Sequence, residues 1–217
     1  MKKLCVKRLQ EHPVSAADIP ALFDKAGIER HAIDQVNWAE AYPYAPEVNF
    51  RIAHTGNTIL IEYSVKENSV RAVAPHDNGH VWEDACCEFF SRPAGDDIYY
   101  NIECNCAGTL LIGCGPTREG RTLAPAEVLA QVDRWASLGR TPFEEKTGRH
   151  AWQLALIVPL SAFFRHRLAT FSGHSMRGNF YKCGDKLQTP HFLSWNAINI
   201  PKPDFHRPDF FGELDFE

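Results

Sequence analysis

Hydrophobic and polar residues alternate along much of the chain after residue 45, and this pattern predicts β-strands. Between residues 57 and 65 every second position is apolar, as Ile59, Ile61 and Tyr63 show. A period of two places such residues on one face of a strand. Residues 48–54 alternate in the same way, and a short polar turn with a glycine separates the two segments, which predicts a hairpin.

Strand patterns recur through the rest of the chain, whereas helix patterns are few. A capping box at Ser15 and Asp18 predicts a helix through about Lys25 that ends at Gly27. Segments 125–130 and 159–164 could form single helical turns. Further strands are predicted at 4–9, 69–74, 85–91, 98–105, 109–114, 131–137, 151–158, 177–182, 192–198 and 214–216. We therefore expect an all-β fold, a two-sheet, jelly-roll-like β-sandwich with a few short helices. No change in composition marks a linker, so residues 1–217 are interpreted as one domain.

The composition narrows the functional class. The net charge of −4 and the isoelectric point near 6.2 give no basic surface for nucleic acid or for an anionic membrane. No apolar stretch is long enough to span a bilayer, and the basic residues 1–8 are not followed by the apolar core of a signal peptide. Seven cysteines without a C-x-x-C motif indicate reduced, mostly structural thiols, and we expect a cytoplasmic location.

The segment from Trp82 to Phe90 contains the first candidate site. Trp82 follows a polar loop, and Glu88 lies six residues later in the middle of a predicted strand. An indole offers a flat apolar face, and a carboxylate offers two acceptor oxygens for neighbouring hydroxyls. A sugar ring has an apolar face and an edge of vicinal hydroxyls, so the pair predicts a carbohydrate site.

The next predicted strand has an unusual row of polar side chains. Asn101, Glu103 and Asn105 share one face at a period of two. If this strand pairs with the preceding one, Glu88 joins the same face at a distance of about 5 Å between Cβ atoms. Amide and carboxylate groups together provide the donors and acceptors that sugar hydroxyls need.

Two later aromatic residues could extend this surface. Tyr181 shares a strand face with Arg177 and Asn179, and Phe205 lies in a proline-rich loop that could present it rigidly. If Trp82 and Phe205 face each other, they form a slot for a ring, with each stacked contact contributing on the order of 1 kcal/mol.

The same residues allow other interpretations. The polar row could be the solvated outer face of a sandwich, and His76 and His80 with Asp77 could bind zinc, although Asn78-Gly79 predicts a turn there. Glu88 with a second carboxylate could instead cleave a glycosidic bond, as in a glycoside hydrolase. The protein could also be an intracellular scaffold whose aromatic loops bind another protein.

Residues 82–90 resemble the W-x-x-D-[SA]-x-E-x-F-type strand of family 9 carbohydrate-binding modules. Weaker similarities follow in the right order at 100–103, 152–159, 178–180, 194–195 and 208–214, so the resemblance covers about residues 30–217. It implies a β-sandwich that holds a sugar, often a chain end, between two aromatic side chains without catalysis. The family usually accompanies glycosidases, which implies a place in carbohydrate breakdown.

The resemblance also implies roles for individual residues. Trp82 takes one stacking position and Glu88 that of the hydroxyl-binding acid, while Asn101 and, less closely, Tyr181 fall near polar contacts. Phe205 takes the second stacking position, where the family pattern has tryptophan, so a weaker or different ligand preference follows. Family members often hold structural calcium, which makes a calcium ion a possible cofactor here. The expected partner is a mono- or oligosaccharide.

Overall fold

Fourteen strands carry the fold in the computed structural model, which describes all 217 residues. The strands are β1 (Lys3–Arg8), β2 (His31–Ala32), β3 (Gln35–Val36), β4 (Glu47–His54), β5 (Thr58–Ala72), β6 (Cys86–Pro93), β7 (Tyr99–Asn105), β8 (Leu110–Gly115), β9 (Thr122–Leu123), β10 (Asp133–Ala136), β11 (Phe143–Pro159), β12 (Ser175–Cys183), β13 (Phe192–Ser194) and β14 (Gly212–Phe216). The helices are α1 (Ile19–Ala26) and α2 (Ala126–Leu129), and single 3₁₀ turns lie at Ala16–Asp18, Val81–Glu83, Leu160–Ala162 and Pro208–Phe210.

The strands form two sheets that share β1. Sheet I has the order β10-β11-β5-β4-β1, with β2 paired to β4. Sheet II has the order β1-β14-β12-β6-β7-β8-β9, with β13 paired to β12 and β3 paired to β13. The first four residues of β1 run parallel to β14, and its last two residues, Lys7 and Arg8, run parallel to β4. The other strand pairs are antiparallel, and the predicted two-sheet β-sandwich is confirmed.

The main core lies between the two sheets and contains 41 buried residues. Phe50 of β4 stacks on Phe180 of β12 with ring centroids 3.7 Å apart, and Phe180 stacks on Phe89 of β6 at 4.8 Å. Cys87, Cys104 and Cys106 also belong to this core, as expected. All seven cysteines are free thiols.

The outer face of sheet II, which points away from sheet I, is buried as well. A second cluster of 12 buried residues lies there beneath the loops, and Cys86, Phe90 and Tyr181 belong to it. Cys86 and the adjacent Cys87 therefore point to opposite faces, as the strand period predicts. Because loops cover this face, sheet II can hold a partly enclosed site.

Local details agree with the sequence patterns in some places and differ in others. The capping box at Ser15 and Asp18 is present, and Gly27 ends α1 with a φ of 61°. The predicted strand at 69–74 is the end of β5, because the polar residues before it continue the alternation instead of turning. Conversely, β13 is shorter than the strand predicted at 192–198. It ends at Ser194, because the backbone of Asn196 forms hydrogen bonds with the side chains of Ser194 and Asn179. No helix has the length and apolar character needed to cross a membrane.

Candidate functional site

A cavity of about 650 Å³ opens on the outer face of sheet II. Its floor includes Glu88 of β6 and Glu103 of β7, and its walls include Trp82 and the segment 201–206 that contains Phe205. Cavities that bind small molecules span about 300–1,000 Å³, so the volume suits one or two sugar rings. Four of the six predicted site residues therefore line one cavity.

Hydrogen bonds to its backbone hold Trp82 at the edge of this cavity. It lies in the 3₁₀ turn before β6, and its carbonyl oxygen accepts hydrogen bonds from the Asp185 amide at 3.2 Å and from the Cys183 thiol at 3.5 Å. Its side chain is half-buried, and its ring packs on His80 with centroids 4.6 Å apart. The indole is thus supported on one side and partly accessible, as a stacking surface requires.

Asp84, two residues after Trp82, fixes the position of the turn that contains Trp82. Its buried carboxylate accepts hydrogen bonds from the amides of Val73 and Ala74 at 3.0 Å and from the Asn105 side chain at 2.9 Å. These bonds connect the Trp82 turn to the end of β5 and to β7. Asn105, predicted as part of the polar row, therefore has a structural role.

Phe205 packs among aromatic side chains, with Trp38 and Phe192 nearby and Tyr181 against one face of its ring. Its ring lies parallel to that of Tyr181 with centroids 4.2 Å apart and an interplanar angle of 7°, and the Tyr181 hydroxyl donates to its carbonyl oxygen at 3.2 Å. Phe205 is 7% exposed and lines the cavity, whereas Tyr181 is fully buried behind it. Tyr181 therefore positions the predicted stacking residue and is not itself on the cavity wall.

Glu88 and Glu103 are direct neighbours across β6 and β7. Both are 3% exposed, and no lysine, arginine or histidine forms an ion pair with Glu88. Burial and the repulsion of Glu103 raise the pKa of Glu88 well above its ordinary value. Burial raises the pKa of Glu103 to about 7, although Arg121, 3.7 Å away, and Asn101 oppose this shift.

Asn101 lies beneath the floor of the cavity. It is fully buried, and its amide donates to the Glu103 carboxylate at 2.8 Å. A Cβ at Gly113 on the neighbouring strand would come within 2.6 Å of the Asn101 side chain, so glycine is needed there for the two strands to hold Asn101. Asn101 orients Glu103 and does not line the cavity.

The interpretation of the polar row as a solvated face is wrong, because Glu88, Asn101, Glu103 and Asn105 are all buried under loops. The other polar row, on β12, also has internal partners. Arg177 donates to the Phe211 carbonyl at 2.8 Å. The Asn179 amide donates to the Asn196 carbonyl at 3.1 Å.

Sequence reasoning missed several wall residues that come from loops distant in sequence and, for Phe192, from β13. They are Tyr42, Arg118, Arg121, Asp185, Phe192 and His206. Arg121 donates to Nε2 of His206 at 3.2 Å, so the neutral imidazole has its proton on Nδ1 and donates to the Tyr99 hydroxyl at 2.8 Å. Burial and the nearby Arg118 and Arg121 lower the pKa of His206 to about 3. No spacing in the sequence indicates that these loops meet.

The zinc site considered at His76, Asp77 and His80 does not form. Asp77 pairs with Arg134 at 2.8 Å, His80 faces Glu83, and Asn78 between them adopts a φ of 60° in a turn. One set of cysteine, histidine or acidic side chains does converge, namely Cys86, Glu88 and Cys183. Two sulfur ligands do not fit calcium, which takes oxygen ligands, so these residues do not form the calcium site that the resemblance implies.

Comparison with known proteins assigns the chain to a family. The model of carbohydrate-binding family 9 matches residues 17–216. The chain belongs to this family. The solved structure of a family 9 carbohydrate-binding module from Caldicellulosiruptor kristjanssonii in complex with cellotriose is 12% identical and has a TM-score of 0.60, with 100% of this chain and 94% of that chain covered. A glucose complex from the same organism is 13% identical, with a TM-score of 0.57 and coverage of 100% and 96%.

A more similar neighbour comes from Bacteroides uniformis, and a carbohydrate-binding role is ascribed to it. Its crystal structure is 57% identical to this chain, with a TM-score of 0.97 and coverage of 100% of this chain and 99% of that chain. No curated protein sequence matches the chain significantly. The likeness to the Caldicellulosiruptor structures is one of fold, so the ligand of this family 9 chain has to be argued from its own cavity.

Proposed function

We propose that this family 9 protein binds a sugar ring non-catalytically in the cavity on the outer face of sheet II. The observation that carries the proposal is the convergence of two aromatic rings, Trp82 and Phe205, and two carboxyl groups, Glu88 and Glu103, on one cavity. The rings cover the apolar faces of the sugar, and the carboxyl groups bind its hydroxyls. The ligands of the Caldicellulosiruptor relatives, cellotriose and glucose, are the first sugars to test.

The surroundings of the carboxyl groups support hydroxyl recognition. Glu88 and Glu103 are buried at the floor, so a hydrogen bond from a sugar hydroxyl competes with little water. Removing one partner of a buried hydrogen bond costs about 1–3 kcal/mol. Arg118, Arg121 and Lys202 on the walls supply donors for further hydroxyl or ring oxygens.

The arrangement of the two carboxyl groups suits binding better than hydrolysis. A glycosidase places its two carboxyl groups on either side of the scissile bond. Glu88 and Glu103 project side by side from one sheet face, so both approach a bound sugar from the same side. They can grip neighbouring hydroxyls on one edge of the ring.

Calorimetric titration with glucose, cellobiose and cellotriose tests the proposal. We expect Trp82→Ala to weaken binding about five- to tenfold through the lost stacking, and Glu88→Gln to weaken it about tenfold or more. Trp135→Phe is a matched aromatic control, because Trp135 lies on β10 of sheet I, outside the cavity. Aryl glycosides incubated with the protein test for turnover.

Absence of binding across a wider panel of sugars would overturn the proposal. So would wild-type affinity in both Trp82→Ala and Glu88→Gln. Turnover of an aryl glycoside that Glu88→Gln abolishes would replace binding with hydrolysis.

A further inference from the structure

Two thiols and a carboxyl group converge beside the cavity, and sugar binding does not require the thiols. Cys86 of β6 and Cys183 of β12 are directly opposite each other in the antiparallel pairing. Glu88 follows Cys86 by two residues and lies on the same strand face. The ligand atoms of the three residues lie within 4.8 Å of one another, and all three residues are buried.

Glu88 lacks the cation that a buried carboxylate normally has. Its hydrogen-bond partner in the protein is the Cys183 thiol, with Sγ and Oε1 3.1 Å apart. The nearest guanidinium, that of Arg121, pairs with Glu103 instead. Because an isolated buried charge is costly, a cation at this position would stabilise the ionised carboxylate.

We propose that Cys86, Glu88 and Cys183 bind a thiophilic divalent cation, Zn²⁺. Zinc is four-coordinate and binds thiolate sulfur at about 2.3 Å and carboxylate oxygen at about 2.0–2.2 Å. Tetrahedral angles then separate sulfur from oxygen by roughly 3.5 Å, so the side chains need only small movements from their present positions. Two thiolates distinguish this site from one for calcium or magnesium.

The fourth coordination position faces the cavity. Glu88 and Cys183 line the cavity, whereas Cys86 lies behind them, and Asp185 stands on the same wall two residues after Cys183. Structural zinc sites are closed by four protein ligands, and an open position is typical of sites that also bind a water or a ligand. Asp185 or a water molecule completes the shell here.

Metal binding at this site exchanges protons for the cation. Two Zn–S bonds and one Zn–O bond form as the two S–H bonds and, in the protonated form of Glu88, its O–H bond break; the protons pass to water, and zinc remains Zn(II). Burial raises the pKa of both thiols, that of Cys86 to about 12. Zinc must therefore displace protons from thiols whose pKa values are raised, so the affinity of the site for zinc should rise with pH.

Cobalt(II) is the probe for the test, because its absorption reports its ligands. Protein stripped of metal with a chelator and kept reduced is titrated with Co²⁺, which we expect to produce a thiolate-to-cobalt charge-transfer band in the near ultraviolet and the intense visible bands of a tetrahedral ion. Zn²⁺ added afterwards should displace the cobalt and bleach these bands. Cys86→Ser should weaken cobalt binding more than about tenfold.

Cys87→Ser is the matched control, since Cys87 is adjacent in sequence but faces the core between the sheets. It should keep the cobalt spectrum. Cobalt uptake without the charge-transfer band would overturn the proposal, and so would unchanged cobalt affinity in a folded Cys86→Ser. If Cys86→Ser does not fold, the spectrum of the unsubstituted protein decides the question alone.

Sugar titrations separate this inference from the proposed function. Cys86 is not on the cavity wall, so Cys86→Ser should lose metal binding and keep sugar binding. Trp82→Ala should show the reverse. Failure of one property with retention of the other identifies which proposal is wrong.

Discussion

Buried carboxyl groups have different partners on the two faces of sheet II. On the inner face, Lys182 of β12 meets Glu67 of β5 with Nζ and Oε2 2.9 Å apart, and both side chains are completely buried. On the outer face, Glu88 and Glu103 sit side by side. Glu88 has no cation, and Glu103 has only Arg121 at 3.7 Å. The first arrangement is an ion pair enclosed between the sheets, and the second is open to a cavity.

Both members of the inner pair have further polar neighbours. The Trp152 indole donates to Glu67 at 2.7 Å, and Lys182 donates to the ring of His191 at 2.8 Å. Burial alone would lower the pKa of Lys182, but the attraction of Glu67 outweighs it and the pKa is raised. The pair links sheet I to sheet II and needs no ligand.

The outer pair has no cation at hydrogen-bond distance: Glu88 accepts from the Cys183 thiol, and Glu103 accepts from the Asn101 amide. Burial raises the pKa of both Glu88 and Glu103, and the partners that oppose the shift do not cancel it. Ionisable groups with raised pKa values beside a cavity are candidates for ligand binding. The comparison therefore separates buried charges that hold the sandwich together from those available to a ligand.

Lys182→Met should give the largest effect on stability. It leaves the Glu67 carboxylate buried without its cation, which we expect to lower the free energy of unfolding by about 3–5 kcal/mol. Urea unfolding followed by circular dichroism measures the change. The double variant Lys182→Met/Glu67→Leu should recover much of the loss, since both charges are then removed. A loss below about 1 kcal/mol in the single variant would contradict the structural role of the pair.

Glu103→Gln should have a smaller, pH-dependent effect. The folded-state pKa of Glu103 is about 7, against an ordinary value of 4.5, so the folded protein binds an extra proton between these pH values. Its contribution therefore lowers the free energy of unfolding as pH rises from 4.5 to 7. Glutamine does not ionise, so Glu103→Gln lacks this loss. The free energy of unfolding of the variant minus that of the unsubstituted protein should therefore be more positive at pH 8 than at pH 5, by on the order of 1–2 kcal/mol.

Urea unfolding at the two pH values, in the presence of a chelator, measures this difference. Glu47→Gln is the control, because Glu47 is exposed and pairs with Lys66 at the surface. It should show no comparable pH-dependent gain. The same result for Glu103→Gln would mean that its carboxyl group ionises normally in the folded protein.

The comparison also shows what the sequence could reveal. Alternation predicted most strands, and it placed Glu88 beside Glu103 because the two strands are consecutive and pair as a hairpin. The same alternation left the polar row open to a solvated interpretation. Periodicity reports which residues share a face, but it does not report what covers that face.

Long-range partners were beyond the sequence patterns. Glu67 and Lys182 are separated by more than a hundred residues, and the polar residues around Glu67 suggested a break in the strand that β5 does not have. Arg121 and His206 are 85 residues apart and meet only because two loops close over sheet II. Each of these contacts depends on the packing of the whole chain, which no local pattern encodes.

Arg118→Ala should have the smallest effect and sharpens the contrast with Lys182. The Arg118 guanidinium donates to the Asp204 carboxylate at 2.7 Å, and this pair joins two loops of the cavity wall. Arg118 is 50% exposed, so solvent screens the pair and its contribution to the free energy of unfolding should lie within about 0–1 kcal/mol. Sugar binding should weaken only a few-fold, mainly through faster dissociation, because the loops close less firmly.

Urea unfolding and stopped-flow sugar dissociation measure the two effects of Arg118→Ala. Asp204→Asn is the matched variant: it removes the same ion pair but keeps an oxygen that can accept from the His206 amide. The two variants should agree if the ion pair is responsible. A loss of stability as large as that of Lys182→Met would instead mean that an exposed pair at the cavity supports the fold as strongly as the buried pair between the sheets.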